Sequence, residues 1–476
     1  KGKIQNKQSV ITINSPSVVP VSLIEPSTKV EFHVEDKTFS FTDKPLAHNK
    51  YHYIRINDTG NVKIKSDKNI FVGNPIPIQD QPKDNRLVLK IFIDGLSGDF
   101  IQKQGLKNIL PNTYRFFEKG FIAENCYATS EWTLPSKASI NTGMYSSNHH
   151  LLHPNYTYNF EENNKLMAEY FKEAGYFTAK IDSNWRTTPT FGYHKGFDRI
   201  LFQNFSGGMD CRNVITEAIE HLESFQTKNN FLSITFMDLH NVPDEIEDHL
   251  LAQVNTDISY RVDTNNKGAT SVLSKYDENK INKYYEEIKR IDTFLGVLYA
   301  YLDTKYKKDE MCVVLHSDHG QTFLEKKEGI LHDSRRKIPL MITGSNVIQT
   351  MDRSEFIEAV DILPIMLNCC SVNIPNHIDG KLPSSFGGHE KRSTVITQVI
   401  HPGQTYKGVL TDQNHTFTFE TYLPVNDDLT VDLRKYSTSL VHNATGSDVS
   451  KEHPTKIAKY ENIIFNYIRN FMDWNK

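Results

Sequence analysis

The sequence predicts an α/β fold, a mainly parallel sheet flanked by helices, preceded by a small N-terminal β domain. Three observations carry this. Leu87–Ile93 is a near-continuous apolar run, as expected of a strand buried on both faces. Similar runs recur at residues 231–237 and 311–316, separated by stretches of helical periodicity. The first 84 residues instead alternate polar and apolar positions in short runs.

Taken in order, residues 1–84 read as a β-sandwich-like accessory domain. Val30-Glu31-Phe32-His33-Val34 and Tyr51-His52-Tyr53-Ile54-Arg55-Ile56 alternate with period two, and Asp58-Thr59-Gly60 supplies a turn. Its expected role is packing or spacing; only scattered aromatics speak for sugar binding. The stretch 73–85 holds three prolines and reads as a linker. Residues 85–476 form the catalytic domain, with a small α+β subdomain at its C-terminal end. There Leu166, Met167, Tyr170, Phe171 and Ala174 follow a helical period that Gly175 stops, and a long charged helix is expected around 281–302. Strands alternating with helices imply a sheet covered on both sides. In such sheets ligands bind beyond the carboxyl ends of the strands.

Composition bounds the function. The 476 residues carry 54 Lys+Arg against 58 Asp+Glu, a formal charge of −4, so nothing draws the chain to nucleic acid. No apolar run is long enough for a transmembrane segment. The five cysteines are Cys126, Cys211, Cys312, Cys369 and Cys370. Their odd number and scattered spacing argue for free thiols and a cytoplasmic location. The chain opens on Lys1 without Met and reads as a fragment, for which a periplasmic or membrane-associated origin stays open.

The chemistry concentrates at strand ends. Asp94-Gly95 closes the first buried run, and Asp318-His319-Gly320 follows Cys312-Val313-Val314-Leu315. Oxygen and nitrogen ligands there suit a divalent ion. Between them lies Trp132-Thr133-Leu134-Pro135-Ser136-Lys137-Ala138-Ser139. Pro135 suits a first helical turn, so a helix over 136–145 places Thr133 just before an N-terminus that favours anions. A Ser or Thr before Pro is otherwise often only a helix cap. Asp238 and His240 have strand spacing and would face one side, with His332 as a partner for a second metal; the single-metal reading is preferred. His149, His150 and His153 read as a loop of exposed histidines.

The 133–143 segment, ending in Thr142-Gly143, resembles the sulfatase signature, in which Cys or Ser, any residue, Pro, Ser, Arg, Ala and Ser precede Thr-Gly. Ala174-Gly175-Tyr176, Gly196-Phe197-Asp198, Ser317-Asp318-His319-Gly320, Arg336-Lys337-Ile338-Pro339 and Val360-Asp361-Ile362-Leu363-Pro364 resemble further sulfatase landmarks in the same order. The resemblance places residues from about 86 onward in the sulfatase-like branch of the alkaline phosphatase superfamily. Sulfatases oxidise the first signature residue to formylglycine. Thr133 cannot follow, because its β-carbon carries a methyl group. In this it resembles phosphoethanolamine transferases, lipoteichoic acid synthases and nucleotide pyrophosphatases/phosphodiesterases, which use a Thr nucleophile. The resemblance implies a divalent metal (Zn, Mn, Mg or Ca) on Asp94, Thr133, Asp318 and His319. It implies Thr133 as nucleophile, His240 or His332 as proton carrier, and Lys137, Asn184 and Arg186 at the substrate. The implied donor is a phosphodiester or pyrophosphate, and the acceptor water or a sugar hydroxyl, such as that of a cell-surface glycan. The alternatives are a sulfate-ester hydrolase without formylglycine and a non-catalytic glycan-binding protein.

Overall fold

The computed structural model describes residues 2–5, 8–153, 164–203, 208–244, 249–259, 274–327, 329–345, 347 and 351–474. The chain divides into two compact units, one of Lys1–Lys83 with Glu223–Asn229, the other of Asp84–Leu222 with Asn230–Lys476.

In the first unit two antiparallel sheets form. One runs Gly2–Gln5, Ile70–Gly73, Ser17–Leu23, Tyr51–Ile56; the other runs Gln8–Ile13, Gly60–Ser66, Val30–Val34, Lys37–Ser40. The period-two pattern sends Val19, Val21 and Leu23 of one sheet and Phe32, Val62 and Ile64 of the other into one apolar cluster. The stretch 73–85 is not a plain linker. Gly73 ends a strand, Ile76 and Pro77 pair with Val18 and Ser17, and the Asp80 carboxylate accepts from the Asn229 amide at 3.0 Å.

The second unit is built on a seven-stranded sheet. Its strands are β1 (Leu87–Ile93), β2 (Phe121–Ile122), β3 (Phe177–Asp182), β4 (Arg199–Phe202), β5 (Asn230–Phe236), β6 (Met311–His316) and β7 (Leu340–Gly344). They lie in the order β2-β7-β6-β1-β5-β3-β4. From β6 to β4 every neighbouring pair is parallel, while β7 runs antiparallel to both β6 and β2. The mainly parallel α/β fold read from the sequence is thus the fold observed. β1 is buried along its whole length because each face meets its own core. Leu87, Leu89, Ile91 and Ile93 join Ile288, Ile291 and Leu295. Val88 joins Phe231, Val314, Leu363 and Met366. The former three helical residues belong to the long helix Glu278–Lys305, whose first amides are capped by the Asp277 carboxylate.

The chain ends in an antiparallel sheet, Val395–Val399, Thr405–Thr411, His415–Pro424 and Tyr436–His442, against the helix Pro454–Trp474. Tyr460, Ile464 and Ile468 recur every four residues and form the buried stripe of that helix. This sheet grips the segment leading to Thr133. Gln398 N–H donates to Thr129 O at 3.1 Å, and Thr397 Oγ1 donates to Ala128 O at 2.6 Å. Among the described residues no helix is long and apolar enough to cross a membrane.

Candidate metal and nucleophile site

Asp94 follows β1, Asn184 follows β3, Asp238 follows β5, and Asp318-His319 follow β6. Parallel neighbours point their carboxyl ends the same way, so four distant segments meet at one edge. Close approach needs glycine twice. Gly95 has φ +73°, and a Cβ there would sit 2.3 Å from Gln321 Nε2; a Cβ on Gly320 would sit 1.9 Å from Ser334 O.

Thr133 is the first residue of the helix α1 (Thr133–Thr142), not the residue before it, and the helix stops at Thr142 rather than 145. Gly143, at φ 68°, closes it by donating to Ser139 O. Trp132 at the N-cap offers no side-chain acceptor, which leaves the Thr133 and Leu134 amides of the first turn for a ligand. Ser136 Oγ donates to Asp318 O at 2.8 Å and ties α1 to the loop after β6.

Thr133 Oγ1 donates to Asp94 Oδ2 at 3.2 Å and lies 3.2 Å from His319 Nε2. His319 Nδ1 is 2.9 Å from Gly320 O, a contact that fixes the proton on Nδ1 and leaves Nε2 a lone pair facing the cluster. His319 Nε2 lies 3.4 Å from Asp318 Oδ2 and 3.9 Å from Asp94 Oδ1. Asp94 and Asp318 are fully buried, and Asp94 Oδ1 and Asp318 Oδ2 have no hydrogen-bond partner. Burial raises both carboxyls above the usual aspartate range, and Asp318 raises Asp94 further. Burial, then the nearby Arg335 charge, pushes His319 down to about 3. Two buried orphan carboxylate oxygens and an imidazole lone pair converging on one point fit a divalent cation.

Asn184 Nδ2 donates to Asp94 Oδ2 at 2.6 Å, so it orients a ligand carboxylate. Lys137 is buried under the site. Its Nζ reaches Thr187 Oγ1 at 3.2 Å, Thr235 Oγ1 at 3.3 Å and Asp182 Oδ2 at 3.7 Å, and its charge is felt at both Asp94 and Asp318. Arg186 donates its backbone N–H to Asn184 Oδ1 and lays its guanidinium over Trp132. His240 packs edge-on against Trp185 at 4.8 Å between centroids, close enough for its charge to act on Asp94 and His319. His332 Nδ1 contacts Ser334 Oγ at 2.5 Å, and the residue lines a cleft of about 1320 Å³ with Asp99, Lys103, Glu325 and Arg336.

Asp238 and His240 do not share a strand face. The strand ends at Phe236, and Asp238 opens a helix, Asp238–Asp244. Asp238 meets His249 and Glu287 instead, but Arg290 Nη1 lies 2.6 Å from Asp238 Oδ1 and Nη2 lies 2.8 Å from Asp210 Oδ2. A fixed guanidinium already supplies a cation to the Asp238 carboxylate there. His149 is buried, not exposed; its Nε2 is 3.1 Å from Ser139 Oγ. All five cysteines are buried free thiols.

Sequence reading passed over Arg335. It is fully buried, donates to Glu131 O at 2.7 Å and Gly320 O at 2.6 Å, and braces the segment before Thr133 against the loop carrying His319. An Arg-Arg pair in a charged stretch carries no signal of burial. His401 was missed too, since it lies about 270 residues from the Glu131 it contacts.

A family model described as Sulfatase matches residues 86–372. An extracellular sulfatase SULF-1 homolog of Drosophila melanogaster is 22% identical over 335 residues, covering 60% of this chain and 30% of that protein. The multifunctional alkaline phosphatase superfamily protein PehA of Trinickia caryophylli is 30% identical over 156 residues, 31% of this chain and 30% of its own length. The chain therefore spans under a third of the length of these curated relatives. Among solved structures, the phosphonate monoester hydrolase SpPMH of Silicibacter pomeroyi superposes with a TM-score of 0.58 at 16% identity, covering 82% of this chain and 96% of that one.

Proposed function

The chain belongs to the sulfatase family, within the alkaline phosphatase superfamily, and on that premise we propose that it is a metal-dependent hydrolase or transferase of a substituted phosphoryl group, with the Thr133 hydroxyl as nucleophile. One observation carries the reading: Thr133 Oγ1 stands at a helix N-terminus, 3.2 Å from both Asp94 Oδ2 and His319 Nε2, where the family places an aldehyde-forming residue. A hydroxyl so placed keeps a nucleophile without any oxidation of the side chain.

Asp94, Asp318 and His319, with Thr133 Oγ1, would hold one divalent cation, whose charge supplies Lewis-acid stabilisation when bound. The chain does the rest. Thr133 donates its proton toward Asp94 Oδ2, which leaves an oxygen lone pair to attack phosphorus. The Oγ1–P bond forms as the bond to the leaving oxygen breaks, and His240 gives that oxygen a proton. The first-turn amides of α1 and the buried Lys137 ammonium stabilise charge on the remaining phosphoryl oxygens. In the second half His240 takes the proton of the acceptor, the acceptor oxygen displaces Thr133 Oγ1 from phosphorus, and Thr133 recovers its proton from Asp94 Oδ2. Water as acceptor gives hydrolysis; a sugar hydroxyl gives transfer to a glycan.

The test is mass spectrometry of metal-loaded protein quenched with an activated 4-nitrophenyl phosphodiester. The expected result is the donor's phosphoryl group on the peptide containing Thr133. An unmodified peptide under proven turnover sinks the covalent route, and turnover of 4-nitrophenyl sulfate in place of the phosphodiester moves the chain to sulfate esters.

A further inference from the structure

Trp132 immediately precedes Thr133, and three nitrogen-bearing side chains surround its indole. Arg186 Cζ lies 5.4 Å from the ring centroid; the His401 ring lies 5.1 Å away and the His153 ring 6.2 Å away. The two imidazoles are 6.1 Å apart. They come from three separate places: the loop after β3, the loop after α1, and the connection following the strand Val395–Val399.

The charge around this ring is unbalanced. Arg186 is half-buried, and no carboxylate pairs with its guanidinium among the described residues, although a guanidinium withdrawn from water is ordinarily matched by an acid. His401 Nε2 lies 2.6 Å from Glu131 Oε1, a contact that favours the protonated imidazole. Burial opposes that charge, but Glu131 outweighs it. His153 is held below the ordinary histidine range by burial and then by the charges of His401 and Arg186. The Arg186 guanidinium therefore lies 5.4 Å from the Trp132 ring with no acid of its own among the described residues, while Glu131 is committed to His401. The reacting group does not account for this guanidinium, because Lys137 and the helix N-terminus already serve it.

We propose that Arg186 and His401 form a subsite for a second anionic group of the substrate, a carboxylate or sulfate carried beside the ester Thr133 attacks. The guanidinium supplies paired donors for an oxyanion, and the buried Trp132 ring, 8% exposed, backs it. The subsite rests on Thr133 marking the reaction centre.

The experiment compares two ligands, benzylphosphonate and 4-carboxybenzylphosphonate, by calorimetric titration of the metal-loaded protein. Wild type should bind the carboxylated ligand about tenfold tighter or more, the worth of one charge-assisted contact. Arg186→Met should reduce that ratio to about twofold or less, and His401→Gln to an intermediate value. Equal affinities in wild type, or a ratio unchanged in both variants, overturns the subsite. The matching 4-nitrophenyl monoesters separate this from the reading of Thr133. Turnover without a carboxylate preference sinks the subsite alone. A binding preference without turnover sinks the nucleophile alone and leaves the subsite standing. Absence of binding by either ligand overturns both.

Discussion

Thr133 tests the chemistry one atom at a time. Thr133→Ala removes the attacking oxygen and should lower the rate of phosphodiester turnover by about 10³-fold or more. Thr133→Ser keeps the hydroxyl and should retain measurable single-turnover labelling of its peptide. Below the site, Asp182 lies among buried lysines. Its Oδ2 is 2.7 Å from Lys180 Nζ and 3.7 Å from Lys137 Nζ. Burial alone would raise this carboxyl, but Lys137 and Lys180 outweigh it and hold it at about 2, against 3.8 in the open chain. A lowered acid favours the fold above the open-chain value and loses that contribution as pH falls through the folded one. The stability at stake between pH 4 and 2 is about 2 kcal/mol. Urea unfolding across that window should show the loss in wild type and a flatter profile in Asp182→Asn. At neutral pH that variant should also be destabilised by about 3 kcal/mol, since it leaves two buried ammonium groups without their acid.

At the scale of elements, the site is a junction between the loop after β6 and the segment 332–336. Gly320 touches Ser334 O so closely that any side chain must push the two apart. Gly320→Ala should therefore displace Asp318 and His319, and elemental analysis of the purified variant should show most of the bound metal gone. A metal content equal to wild type would remove this junction from the argument. Arg335 braces the same junction from the other side. Arg335→Met leaves the carbonyls of Glu131 and Gly320 without their buried donor, and should cost about 3 kcal/mol in thermal or urea unfolding. Rescue by Arg335→Lys should be incomplete, because one ammonium cannot span both acceptors as the guanidinium does.

Across the whole molecule, two buried aspartates held together without a bound cation oppose folding, and a cation that binds only the folded state stabilises it by mass action. At a hundredfold excess over the dissociation constant the gain is about 2.7 kcal/mol. Divalent metal should raise the melting temperature of wild type, and chelator should reverse the rise. Asp318→Asn should show neither response. The same variant, free of metal, should melt no lower than metal-free wild type, because it relieves the repulsion between Asp94 and Asp318.

The residues alone determined what local physics dictates. A near-continuous apolar run such as Leu87–Ile93, interrupted only by Lys90, reads as a strand covered on both faces, and Asp94 and Asp318-His319 follow such runs at the end where parallel sheets bind ligands. Thr in the signature position excluded formylglycine by covalent structure. The rest depended on which segments meet. Asp238 and His240 have strand spacing on paper, but the strand stops at Phe236, and the helix that starts at Asp238 sends that carboxylate to Arg290. Arg335 and His401 acquire their roles only through contacts across the fold, with Gly320 and Glu131. Period and propensity are read within a few residues; the partner of a buried charge is chosen by packing, and only the tertiary structure decides it.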